Sequence, residues 1–303
     1  MKFLKPQFWD KNYLTFQSII LYPFTFIIDL KQFFDYLIIK PNKYSEIKTI
    51  CVGNIYIGGT GKTPLVDFIA KKFRGKFKTA IIKKKYLNHL DEKKLLEKNN
   101  KVFFKKKRIT SLLEAIQKKF DLVVFDDGLQ DNSIKYDLKI VCFNSFSLAG
   151  NELRIPAGPL REGLINLKKY DAVFITGKEI NREFRKKIRI INPNIPIFLG
   201  EYVSTNYIKY KKNKYLIFCG IGNPVGFKQT LEKYKINFNL NLIYPDHYIY
   251  SSNDIKKIKE IAKNKKLKIL TTEKDYNRIP KKLRKNINYL KVKLKIKNQK
   301  DFN

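Results

Sequence analysis

The chain has 303 residues, 44% of them apolar, enough for a real core and for one large or two modest domains. Its 63 Lys and Arg against 27 Asp and Glu leave a net charge of +36, which invites nucleic acid, an anionic membrane or a phosphorylated substrate, although the joint abundance of Lys, Ile and Asn is also what compositional drift produces. Cys51, Cys142 and Cys219 lie in apolar runs without metal-ligand spacing and read as buried, reduced thiols of a cytosolic protein, and two histidines, His89 and His247, argue against a His-built zinc site.

Residues 1–40 are aromatic and apolar. The densest part, Ile19 to Ile28, is interrupted by Pro23 and closed by Asp29. That is too short and broken for a spanning helix, which needs about 20 apolar residues, and no small-residue cleavage site marks a signal peptide. Two readings stand: helices packed on the domain, or an amphipathic segment on a membrane surface with Lys2, Lys5, Lys11 and Lys31 near the headgroups.

Ile47 to Val52 reads as a strand, and Leu65 to Phe73 as a helix. Between them stands Gly58-Gly59-Thr60-Gly61-Lys62-Thr63. Strand, glycine-rich turn, Gly-Lys-Thr and helix form the layout of a phosphate-binding loop. Glycines let backbone N–H groups close around phosphate oxygens, and the helix N-terminus adds donors and partial positive charge. Lys62 would reach the terminal phosphates and Thr63 would offer its hydroxyl to Mg²⁺. The loop is a variant, because Tyr56 stands where the common pattern has its first glycine.

Thr79 to Ile82 is a second strand, followed by Lys83-Lys84-Lys85-Tyr86, and helical patterning returns in Lys93–Lys98 and Ser111–Lys119. Asp121 to Phe125 is a buried-strand pattern ending in Asp126-Asp127-Gly128-Leu129-Gln130. Acids at the C-terminal end of an apolar strand, downstream of a phosphate loop, are placed to hold Mg²⁺. Leu138–Phe143, Ala172–Thr176 and Ile197–Gly200 read as further strands. The turn-rich stretch Pro156 to Glu162 lies among them, and its Arg161 and Glu162 serve phosphate and metal or pair with each other.

A second unit starts near Tyr207. It holds strands at Tyr215–Phe218 and Leu267–Thr271, a last strand at Asn288–Ile296, and helices at Gly226–Lys233 and Asn253–Lys265. Strands alternate with helices throughout, so the fold class is α/β: a mostly parallel, phosphate-loop NTPase-like sheet flanked by helices, with a second, smaller α/β lobe. The division expected is 1–40 for the apolar helices of the first lobe, 41–206 for the kinase-like core and 207–303 for the smaller lobe.

Six motifs then line up in order. Gly53-Asn54 with Gly58 to Pro64, Asp126 to Gln130, Pro156 to Glu162, Phe218 to Pro224, Asp246-His247, and Thr271 to Asp275 with Arg278 resemble the blocks of the tetraacyldisaccharide 4'-kinase family, the lipid A kinases of Gram-negative bacteria. The resemblance runs from about residue 5 to residue 290. It implies transfer of the γ-phosphate of ATP to the 4'-hydroxyl of a tetraacylated, 1-phosphorylated glucosamine disaccharide. The enzyme would be peripheral, on the cytoplasmic face of the inner membrane, with the N-terminal helices touching an anionic bilayer. Neither nucleic acid nor an obligate protein partner is expected.

On this resemblance ATP is held by Tyr56, Ile57, Gly58, Gly59, Thr60, Gly61, Lys62 and Thr63. Mg²⁺ is held by Thr63, Asp126, Asp127, Gln130 and Glu162, and Arg161 meets substrate phosphate or lipid. Asp91 is the base that takes the hydroxyl proton, His247 orients or tunes it, and Lys62 joins them as the third catalytic group. The chain departs from the family pattern in three places. Lys83-Lys84-Lys85-Tyr86-Leu87-Asn88, ahead of a shortened loop, stands for Ser-Arg-Gly-Tyr-Gly-Arg; Asp131 stands for a histidine; and Tyr248 stands for a second histidine. A nucleotide-switched ATPase or GTPase acting on a protein partner is the rival reading, but no guanine-reading Asn-Lys-x-Asp stands at a suitable strand end. A nucleic-acid binder would fit the charge, yet no nucleic-acid motif occurs.

Overall fold

Short runs rich in Ile, Val and Phe, spaced by helical segments, build parallel sheets, because each crossover between parallel strands needs a connection long enough to carry a helix. The computed structural model describes residues 5–11, 13–86 and 90–297, with the side chains of Tyr36, Leu90 and Asp91 outside that description. Two helices come first, α1 (Phe16–Leu21) and α2 (Thr25–Ile38). There follow β1 (Lys48–Gly53), α3 (Lys62–Phe73), β2 (Thr79–Lys84), α4 (Leu90–Glu97), β3 (Lys101–Lys105), α5 (Arg108–Gln117) and β4 (Leu122–Asp126). Next are β5 (Leu138–Asn144), β6 (Ala172–Thr176), α6 (Arg182–Ile191) and β7 (Ile197–Ser204). The last part contains β8 (Tyr215–Cys219), α7 (Pro224–Lys233), β9 (Phe238–Ile243), α8 (Ser252–Asn264), β10 (Lys268–Thr272), α9 (Glu273–Arg278), β11 (Ile287–Leu290) and β12 (Val292–Lys297).

Residue contacts group the chain into two compact units, and in each the observed α/β class matches the sequence reading. The larger takes residues 5–87, 96–201 and the end of β12. Its eight-stranded sheet has the order β12-β7-β6-β5-β1-β4-β2-β3. Ile50 of β1 faces Val124 on one side and Leu138 on the other, both pairings parallel. The chain passes from β1 to β2 and β3 on one side, returns to β4 beside β1, and then moves to the other side through β5, β6 and β7, so the connections diverge around β1 and β4. Ligands of open α/β sheets bind at such a switch point, beyond the carboxyl ends of the strands. The sheet is sealed on both faces: every residue of β4 and of β6 is buried.

The smaller unit takes residues 202–295 together with the start of α4. Its four strands run β11-β10-β8-β9, all parallel. A capping box opens α8: Ser251 accepts from the Asp254 N–H while the Asp254 carboxylate accepts from the Ser251 N–H, satisfying two helix-end donors.

All three cysteines are free and buried, as expected, and burial pushes each thiol up, Cys219 to about 12. The run Asn288–Ile296 is two strands rather than one, breaking at Lys291 so that β11 and β12 join different sheets. Among the described residues no helix is long and apolar enough to cross a membrane.

Candidate active site

At the switch point β1 ends in Gly53 and the chain loops to α3. Asn54 is fully buried and braces this loop: its Nδ2 donates to the carbonyls of Tyr56 and Gly58, and its Oδ1 accepts from Lys62 Nζ at 2.8 Å. Asn144 at the end of β5 donates to the Gly59 carbonyl (3.2 Å), and Thr176 at the end of β6 donates to that of Thr60 (3.1 Å). With these carbonyls tied to strand ends, the loop's N–H groups are what remains for an anion. Gly61, at φ 87°, occupies the left-handed region that a side chain disfavours and serves as the N-cap of α3. No side chain caps α3, so its first N–H groups keep their hydrogen-bonding capacity for a ligand.

The two acids that end β4 behave differently. Asp126 is 1% exposed, and its Oδ2 accepts from Thr63 Oγ1 (3.1 Å) and from Lys83 Nζ (2.5 Å). Its other oxygen, Oδ1, is buried with no hydrogen-bond partner. Asp127 turns at φ 61°, with its N–H donating to the Val52 carbonyl at 2.8 Å and its own carbonyl accepting from Arg108. Its carboxylate lies 3.3 Å from Lys62 and 3.1 Å from Arg161. Burial alone would raise the pKa of Asp127, but Lys62, Arg161 and Lys83 outweigh it and hold the group well below the usual carboxylate range.

The loop Pro156 to Glu162 is stapled beside the phosphate loop. Tyr56 and Leu160 form an antiparallel bridge, the Ile57 N–H donates to the Pro159 carbonyl (2.9 Å), and the Arg161 N–H donates to that of Ile55 (2.7 Å). Arg161 and Glu162 take separate partners. Arg161 donates to Gln130 Oε1 (3.1 Å) as well as to Asp127, while Glu162 accepts from Gln130, Tyr170 and Asn166 at 2.7–2.8 Å. Gln130 thus bridges Arg161 and Glu162, and also donates to the Asn54 carbonyl at 3.0 Å.

The residues at this end of the sheet suit a magnesium ion. Asp126 Oδ1 is a buried acceptor without a hydrogen-bond partner, the hydroxyl of Thr63 is adjacent to the same carboxylate, and the available donors are oxygens, as a hard cation requires. Among the described residues no cluster of three or more His, Cys, Asp or Glu could hold a metal unaided. Nucleotide and water would have to supply its remaining ligands, which is how such cations bind in nucleotide sites.

In the smaller unit His247 adopts φ 56°, its N–H donates to the Gly220 carbonyl (3.1 Å), and its Nδ1 lies 3.3 Å from Arg278 Nη2. A guanidinium can only donate, so Nδ1 accepts and the neutral ring carries its proton on Nε2. Buried Asp275 fixes Arg278 (3.2 Å) and accepts from the Gly220 N–H and the Tyr250 hydroxyl, both at 2.9 Å. The Asp91 side chain lies outside the described residues. Its backbone is in the first turn of α4, the part of that helix that groups with the smaller unit, as does His247. The neighbouring Glu92 pairs with Lys274 at 2.6 Å.

The sequence profile of the family described as Tetraacyldisaccharide-1-P 4'-kinase matches residues 17–93 and 89–303. A tetraacyldisaccharide 4'-kinase of Pelagibacter ubique is 46% identical over 306 residues, covering 100% of this chain and 96% of the relative. The chain belongs to this family. It is a kinase, and the nucleotide-switch reading is not favoured. The tetraacyldisaccharide 4'-kinase of Rickettsia bellii is 33% identical, covering 92% of this chain and 90% of that one. The fold is also that of LpxK from Aquifex aeolicus, crystallised in complex with ATP, with a TM-score of 0.70 at 22% identity over 95% of this chain and 97% of that one.

Several members of the kinase's candidate site escaped the sequence reading, among them Lys83, Arg108, Asn144 and Thr176. Lys83 had a legible signal, a lysine closing the apolar run Ala80-Ile81-Ile82. Arg108, Asn144 and Thr176 had none, because their partners are distant in sequence.

Proposed function

We propose that the chain transfers the γ-phosphate of ATP to the 4'-hydroxyl of tetraacyldisaccharide 1-phosphate, working as a peripheral enzyme at an anionic membrane surface, the cytoplasmic face of a bacterial inner membrane. The observation that carries this reading is the cationic pair Lys62 and Arg161 converging on Asp127, beside an Asp126 oxygen that has no partner.

The residues divide the work as follows. The N–H groups of the loop from Tyr56 to Thr63 would cradle the nucleotide phosphates, and Lys62 would exchange Asp127 for phosphate oxygens as ATP enters. Thr63 and Asp126 would hold magnesium directly, with Asp127, Gln130 and Glu162 arranged around its water shell. When bound, magnesium would spread positive charge over the transferring phosphoryl group. Arg161 would meet phosphate oxygens of nucleotide or lipid bidentately. Asp91 would accept the hydroxyl proton, and His247, its tautomer set by Arg278, would donate from Nε2 to orient the base. The grouping of the Asp91 turn of α4 with the unit that carries His247 supports that pairing.

The N-terminal helices support the membrane assignment. Among the described residues, most of the exposed large apolar side chains fall between Tyr13 and Ile39, with Phe16 75% and Ile38 76% exposed. Three of their polar side chains face the protein instead: Gln32 donates to the Arg161 carbonyl (2.7 Å), Asp29 pairs with Arg154, and Ser18 accepts from Asn151 (3.1 Å). An amphipathic segment so arranged suits the headgroup boundary, where an acylated acceptor resides.

Radiolabelled phosphate transfer from ATP to detergent-dispersed lipid tests the roles. Asp91→Ala and His247→Ala should each lower kcat at least a hundredfold with ATP binding unchanged. Unchanged kcat in Asp91→Ala would move the base elsewhere.

A further inference from the structure

Lys83, the next-to-last residue of β2, is in register with Asp126 of β4, so the two residues stand side by side across a parallel pair. Its side chain is 4% exposed and that of Asp126 is not exposed at all. A lysine so deeply buried is stable as a cation only beside an anion. The pairing at 2.5 Å takes up Asp126 Oδ2, the oxygen that also accepts from Thr63, and leaves Oδ1 as the sole oxygen of this carboxylate without a partner.

The charges of the cluster can then be counted. Lys62, Lys83 and Arg161 oppose Asp126, Asp127 and Glu162, and the Arg108–Asp131 pair adds no net charge, so the formal charges of the cluster cancel. A neutral cluster has little attraction for a free divalent ion, whereas a polyphosphate brings the negative charge that such an ion needs.

We infer that Lys83 is a positioning residue that makes magnesium binding conditional on nucleotide: it fixes Asp126 so that one oxygen is offered, and its charge keeps the free cation out until phosphates arrive. The inference rests on the assignment of Asp126 and Thr63 to the metal. Binding is therefore ordered, with the metal arriving as its nucleotide complex.

Manganese binding read by electron paramagnetic resonance, on the full chain, tests this without reference to turnover. Wild-type protein without nucleotide should show no saturable manganese site at micromolar metal, and should gain one when ADP is present. Lys83→Met, which keeps length and removes charge, should bind manganese without nucleotide at least tenfold more tightly than wild type. Lys83→Ser, which keeps a donor for Asp126, should do the same, and Lys83→Arg should not. A tight manganese site in nucleotide-free wild type contradicts the inference even if no variant folds. Unchanged manganese affinity in folded Lys83→Met and Lys83→Ser also contradicts it, leaving Lys83 a structural ion pair. Asp126→Asn separates the two layers: if it leaves the ADP-dependent manganese site intact, the metal assignment itself fails, whereas loss of that site with no effect of Lys83 variants sinks only the inference.

Discussion

One oxygen of Asp127, Oδ1, receives two cations, Lys62 Nζ at 3.3 Å and Arg161 Nη1 at 3.1 Å. The two come from separate segments, the phosphate loop and the Pro156–Glu162 loop, so this carboxylate ties together the pieces that would surround a transferring phosphoryl group. Arg108, itself 6% exposed, holds the Asp127 carbonyl from behind and pairs with Asp131 at 3.2 Å. The turn that aims Asp127 is thereby fixed without help from a ligand.

Lys62→Met should remove charge from the phosphate site while keeping the stem. We expect kcat to fall by about two to three orders of magnitude, the scale seen when one preorganised electrostatic contact to a transition state is lost. Steady-state kinetics with saturating lipid would show it. A change confined to KM for ATP would mean that Lys62 binds ground state and transition state equally.

The depressed pKa of Asp127 has a stability consequence. Its carboxylate stabilises the fold above its unfolded pKa, near 4, and that contribution is lost as pH falls through the lower folded value. Melting temperatures of wild type and Asp127→Asn should therefore differ most above about pH 4 and converge as the solution is acidified below it. A gap that stays constant to pH 2 would show that the carboxylate is not held ionised by its cationic neighbours.

Gly158 is boxed in. A Cβ there would sit 2.1 Å from Asn151 Oδ1 and 2.4 Å from the Leu153 carbonyl, and the second of these is backbone that cannot step aside. Gly158→Ala should cost about 1–3 kcal/mol, the range for overpacking a filled site. It should also weaken ATP binding, because the same loop presents Arg161 and Glu162. Thermal melts and a nucleotide titration check both parts.

The N-terminal helices should anchor the protein. Phe26→Glu with Ile27→Glu places two charges where side chains are 66% and 63% exposed. Cosedimentation with anionic vesicles should drop at least tenfold while ATP affinity stays unchanged. Equal sedimentation of the double variant would remove these helices from the membrane surface.

What the sequence made legible follows from where the information is local. The β1–α3 loop, the buried strand into Asp126-Asp127 and the prolines before Arg161 each carry their signal within a few residues. Ala172–Thr176 was placed to the residue. Edge strands were missed: β3 is bounded by lysines, and β9 alternates Asn with Leu and is only half-buried, so neither shows the apolar run of a central strand. Highly charged α6 was missed for the same reason, since only Phe184 and Ile188 of its ten residues are buried. Within the site, the pairing of Lys83 with Asp126 depends on the register of two strands 43 residues apart, which no local pattern encodes.

The most direct test of the central claim is product analysis. Purified protein, Mg-ATP and tetraacyldisaccharide 1-phosphate should yield a lipid heavier by one phosphate, with that phosphate on the 4'-oxygen by phosphorus–proton correlation NMR, none without ATP, and about a hundredth as much or less with Lys62→Met over the same initial-rate interval. Hydrolysis of ATP at a rate indifferent to lipid, with the disaccharide recovered unchanged, would contradict the account and return the chain to the nucleotide-switch class.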